Sequence, residues 1–130
     1  MARAIGAALA VLAVLVVIAM LIGCVQQAVL PDDCSASTVQ RSATLSGDHL
    51  TPQSIDVCKG QQVTLEITTE RAGEIHLHGY DVEAPEVEVQ PGDTATFKFK
   101  ATRPGQFPME LHTPNNGPEI QIGVFTVHEP

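Results

Sequence analysis

The stretch SIDVCKGQQVTLEITTE, residues 54–70, decides the fold class. Its second half alternates strictly: Val63, Leu65 and Ile67 are apolar, and Thr64, Glu66 and Thr68 between them are polar. Period-two alternation is the mark of a strand with one face buried. The Lys-Gly-Gln tripeptide at 59–61 separates this strand from a shorter one before it. The same grammar repeats along the chain. TATFKFKA (94–101) sets Phe97 and Phe99 against Lys98 and Lys100, after a turn signal PGD at 91–93. RPGQFPMELH (103–112) enters through Pro-Gly, TPNNGPE (113–119) has the composition of a loop, and IQIGVFTVHE (120–129) closes the run. STVQRSATL (37–45) alternates more loosely. In the last strand Ile120, Ile122 and Val124 share one phase while Phe125 and Val127 take the other, so a bulge near Gly123 or burial on both faces is expected. Short strands divided by turn residues, with no helical periodicity after residue 23, predict an all-β sandwich or barrel.

The beginning of the chain follows other rules. Residues 4–22 are an unbroken apolar run behind Arg3, long enough to cross a bilayer, for which about 20 residues suffice. LIGC (21–24) resembles the lipobox of bacterial lipoproteins, which implies cleavage before Cys24 and a diacylglycerol on its thiol. An uncleaved anchor is the other reading. In both, the positive-inside rule keeps Arg3 in the cytoplasm and exports the rest. The expected organisation is a signal peptide at 1–23, a lipidated tether at 24–37 (VQQAVLPDDCSAS after Cys24) and one domain at 38–130. The protein is thus expected to be extracytoplasmic, lipid-anchored to the cell membrane and monomeric.

Seven basic against 15 acidic side chains give a net charge of −8, and loss of the signal would remove Arg3 as well. That balance repels phosphates and argues against a nucleic-acid partner. With Cys24 committed to lipid, Cys34 and Cys58 remain. An even pair in an oxidising compartment is most simply a disulfide, worth about 3 kcal/mol in the chain-entropy model. Two thiols held for metal are the alternative, without CxxC spacing to support it.

The blocks KGQQVTLEI (59–67), EIHLHGYD (74–81), PGDTATFKFKA (91–101), RPGQFPMELH and IQIGVFTV together resemble the cupredoxin-like domains of exported bacterial proteins. The resemblance implies a Greek-key β-sandwich with an early histidine ligand and further ligands before the final strand. Blue-copper members use His, Cys, His and usually Met. Here the early block is His76 and His78, and the late block offers His112. No cysteine follows Cys58 and no methionine follows His112. Without the thiolate a blue site is excluded, and with it the inference of an electron carrier.

The remaining donors still suit a metal. Residues two apart in a strand share a face at about 6.6 Å. His76 and His78 therefore oppose Ile75 and Leu77, and Glu110 and His112 oppose Met109 and Leu111. Three imidazoles with a carboxylate suit copper in a non-blue site, with zinc as the alternative. Met109 belongs on the core side unless a strand-end twist offers its sulfur to Cu(I). Asp81 is placed to orient an imidazole or to start a turn, and Tyr80 to fill the core. Glu83, Glu86 and Glu88 in the acidic run DVEAPEVEVQ (81–90) are secondary candidates for cation capture, while His49 and His128 are expected in solvent. No nucleophile elbow or phosphate-cradling loop appears, so no enzymatic activity is expected. The expected function is metal holding or delivery at the envelope. The alternative is a metal-free sandwich serving an envelope protein as a binding or structural module, with the histidines as surface polar residues.

Overall fold

The alternating runs become paired strands. The computed structural model describes residues 30–130; the segment 1–23, Cys24 and the first part of the tether lie outside the described residues. Among the described residues nine strands form: β1 Thr38–Ser46, β2 His49–Thr51, β3 Ser54–Cys58, β4 Gln62–Thr69, β5 Gly73–Leu77, β6 Val87–Val89, β7 Thr94–Lys100, β8 Gly105–His112 and β9 Glu119–His128. Among the described residues there is no helix. One sheet runs β2-β1-β4-β7 and the other β3-β9-β8-β5-β6, the Greek-key β-sandwich expected from the sequence.

The Lys-Gly-Gln turn does not close a hairpin. It carries the chain from β3 in the five-stranded sheet to β4 in the other, with Gly60 at φ 95°. Each of these strands runs parallel to a partner distant in sequence: β4 beside β1, and β3 beside β9. Val63, Leu65 and Ile67 face Phe97 and Phe99 of the same sheet inward, and Ile55, Ile75, Leu77, Met109, Leu111, Ile122 and Phe125 complete the core from the other. Met109 is fully buried, so its sulfur lies on the core face, away from the histidines.

The slip in β9 is a bulge. Met109 pairs with Gly123 but Glu110 pairs with Gln121, leaving Ile122 as the extra residue and reversing the phase for Phe125 and Val127. A Cβ on Gly123 would lie 2.8 Å from Leu50 and 2.9 Å from the Gln53 carbonyl, so the site accepts only glycine without movement. The loose alternation of β1 also has a cause. Arg41 takes an inward-phase position at the sandwich edge, where its guanidinium donates to both Asp33 oxygens at 2.9 Å and to the Asp56 carbonyl at 2.8 Å.

Those bonds hold residues 31–37 on the domain. A disulfide joins Cys34 to Cys58, with Cα atoms 5.2 Å apart and a sequence separation of 24. The buried Gln61 side chain accepts from the Cys58 N–H and donates to the Asp33 and Ala36 carbonyls. Every polar atom of that amide is thereby satisfied, as burial requires.

Candidate metal centre

Strand register assembles the site. β5 lies between β6 and β8, and β8 between β5 and β9. Because Ile75, Leu77, Met109 and Leu111 point into the core, their neighbours point out of the sheet. Glu74 pairs with Glu88 on one side and His112 on the other, and His112 pairs with Glu119. Two residues along, His76 pairs with Glu110. The outer face of the sheet thus carries imidazoles set among carboxylates, over the adjoining ends of β5 and β8.

His76 and His112 ring centroids lie 5.4 Å apart, and His76 and His78 centroids 4.2 Å apart. His78 is one residue beyond β5, yet its N–H donates to the Pro108 carbonyl at 3.0 Å and keeps it alongside β8. Gly79 then turns the chain at φ 80°, and a Cβ there would lie 2.6 Å from the Phe107 ring. The turn lets Asp81 fold back. Its carboxylate accepts from the Gly79 N–H at 3.2 Å and from His76 Nε2 at 2.6 Å. A carboxylate only accepts, so this bond puts a proton on Nε2, and in the neutral ring the lone pair then falls on Nδ1.

That lone pair is buried without a hydrogen-bond partner. His76 is only 9% exposed, and its Nδ1 lies 3.4 Å from a Glu86 oxygen. One ligand atom from each of His76, Glu86 and His112 falls within 4.8 Å of the others. A buried acceptor with no donor is costly, whereas a metal ligand needs that lone pair, with the other ring nitrogen held by a carboxylate. The donors fit a borderline divalent ion such as copper.

The rest of the cluster is paired internally. His78 Nε2 lies 2.5 Å from Glu110 and 3.7 Å from Glu119, and His112 Nε2 lies 2.5 Å from Glu119. The hydrogen bond to Glu110 raises the His78 pKa above its ordinary value, against a smaller opposing effect of desolvation. Bonding to His76 lowers the Asp81 carboxyl. Contact with Glu110, followed by the bond from His112, lowers Glu119.

The structure brings His76, His78, Glu110 and His112 together. Asp81 holds an imidazole, and Glu86 approaches the site, whereas Glu83 binds Arg103 at 3.3 Å. Tyr80 is buried, with its hydroxyl bonded to the Arg103 N–H and carbonyl, both at 3.1 Å. Glu119 carries no signature in the local sequence. It lies across a turn-rich loop, and only the pairing of β8 with β9 brings it beside His112. The alternation of acids at 86 and 88 was the available signal for Glu86. His49 begins β2 on the surface, but His128 is not free in solvent: its Nε2 lies 2.7 Å from Asp56. Ser54 bonds the other oxygen of that carboxylate, so serine and histidine are both tied to the aspartate and form no nucleophile–base pair.

A search of curated protein sequences finds no significant match. Among solved structures, the chain is similar to the blue copper oxidase from Nitrosomonas europaea, with a TM-score of 0.55 and 22% identity over 71% of this chain and 39% of that one. The metal-binding domain of the Cu(I)-exporting P-type ATPase CopA of Streptococcus pneumoniae D39, solved with Cu(I), aligns with a TM-score of 0.55 and 12% identity, over 72% of this chain and 89% of that domain. The copper nitrite reductase of Nitrosomonas europaea gives 0.53 and 16%, over 71% and 42%. This chain thus spans about two-fifths of the oxidase and the reductase, and at these identities the likeness is one of fold. The family model described as a cupredoxin-like domain matches residues 11–124, most of the chain. With the sandwich and its strand order, that match makes this protein a member of the cupredoxin-like domain family.

Proposed function

We propose that the protein is an extracytoplasmic lipoprotein, tethered through Cys24, that holds a copper ion in a non-blue site and passes it to another envelope component. The observation that carries this reading is the buried, unpartnered Nδ1 of His76. His76, His112 and Glu86 would hold the ion, with Asp81 fixing the first imidazole. When bound, the copper would be cargo for delivery rather than a blue electron-transfer centre, since the donors include no thiolate. Half-exposed His78 and His112 leave the ion reachable by an acceptor, which suits exchange better than permanent storage.

The test is copper binding by the full chain carrying Cys24→Ser, purified in mild detergent without a histidine tag. The parent should retain copper after dialysis without strong blue colour, and His76→Ala should lose the tightest-bound equivalent. Absence of copper from both proteins would overturn the proposal, as would an intense blue band.

A further inference from the structure

The six donors do not form one shell. They fall into overlapping triads: His76 with Glu86 and His112, His76 with His78 and Glu119, and Glu110 with His112 and Glu119. Glu86 flanks the cluster on the β6 side and Glu119 on the β9 side, three strand spacings away, or about 14 Å between backbones. The triads share His76, His112 and Glu119, so a single ion on His76, Glu86 and His112, with bonds near 2 Å, leaves His78, Glu110 and Glu119 uncommitted.

Charge points the same way. Asp81, Glu86, Glu110 and Glu119 place four carboxylates around three imidazoles. Among the described residues no lysine or arginine pairs with any of these four. Arg41 bonds Asp33, Lys59 bonds Glu129, Arg71 bonds Asp48 and Arg103 bonds Glu83, while Lys98 and Lys100 lie on β7 of the other sheet.

We infer that the cluster takes two divalent metal ions, the second bound by His78, Glu110 and Glu119 beside the ion at His76. This rests on the metal-binding reading above and deepens it. The second set supplies one nitrogen and two carboxylates, a harder donor set than the first, which suits Cu(II) or Zn(II) over Cu(I). His78 Nε2 lies near both glutamates, 2.5 Å from Glu110 and 3.7 Å from Glu119. Glu119 Oε1 is also 2.5 Å from His112, which would hold the first ion, so this carboxylate stands between the two positions and would bridge them. Bridged metal pairs of this kind sit about 3.5–4 Å apart.

The full chain with Cys24→Ser, titrated with Cu(II) and followed by native mass spectrometry and electron paramagnetic resonance, tests this. Two equivalents should bind. The first should give a mononuclear spectrum, and the second should broaden or diminish it through coupling to a near neighbour. Glu110→Gln with His78→Ala should retain one equivalent and the mononuclear spectrum. Glu119→Gln, a gentler change, should weaken the second equivalent at least tenfold and remove the coupling. Saturation at one equivalent would overturn the second site and leave the first standing. Two equivalents with simply additive spectra would place the second ion elsewhere, such as at His49 or His128, and would also overturn it. No binding at all would overturn both readings.

Discussion

The chemistry turns on a few side chains whose roles come from what lies opposite them. His76 is oriented by Asp81, five residues on, because Gly79 turns the chain tightly enough for the carboxylate to fold back. Asp81→Asn keeps the shape but lets the amide present either a donor or an acceptor, so the Nε2–H tautomer is no longer imposed. Copper affinity should fall about 10–100-fold, with little change in the melting temperature of the metal-free protein; competition with a chromophoric chelator measures the first. His78 sets a pH dependence. Its pKa is raised above 6.5 by Glu110, so its contribution to metal-free stability is complete below 6.5 and is lost as pH rises through the raised value. Copper requires the neutral imidazole, so binding strengthens across the same window. The gain in melting temperature on adding copper should therefore grow from pH 6 to pH 8, and a gain that shrinks would count against His78 as a ligand. At this scale the sequence was partly legible. The spacing in HLH and ELH shows shared faces, whereas Glu119 depends on a register that no local pattern encodes.

Among the elements, the β5–β6 loop does most to build the site. Tyr80 anchors it in the core against Phe99, Phe107 and Phe125, with ring centroids 4.9–5.9 Å away. Arg103 stacks on the Tyr80 ring at 4.5 Å and bonds the Gly79 carbonyl. Gly79→Ala forces a side chain into a positive-φ position and against Phe107. It should cost about 1–3 kcal/mol in a chemical denaturation curve and weaken copper binding by displacing Asp81. Strand identities were legible here because inward Val63, Leu65, Ile67, Phe97 and Phe99 alternate with polar residues. The β9 bulge was legible too, since its phase slip is written at Ile122–Phe125. The inward position of Arg41 was not, because its partners Asp33 and Asp56 come from a different segment and a different sheet.

For the whole molecule, the sandwich is closed by long-range links. β1 and β4 pair in parallel, as do β3 and β9, and the Cys34–Cys58 disulfide ties the incoming segment to the end of β3. Removing the bridge by Cys34→Ser with Cys58→Ser should cost about 3 kcal/mol. For a domain near 100 residues that is a fall of roughly 12–24 °C in melting temperature. Copper binding at temperatures below the new midpoint should persist, since the bridge joins the end of β3 beside His128 and not beside His76, His78 or His112. The overall class was legible from turn spacing, but the division of strands between sheets was not. The turn at 59–61 reads equally well as a hairpin or as a crossing, and only the packing of both apolar faces into one core selects the crossing.

The most direct test of the metal centre is the anomalous scattering of a copper-loaded crystal of the protein at the copper edge. A peak is expected within bonding distance of His76 Nδ1 and His112, with the Asp81–Nε2 bond intact. A peak away from His76, or copper on Nε2 with Asp81 displaced, would contradict it.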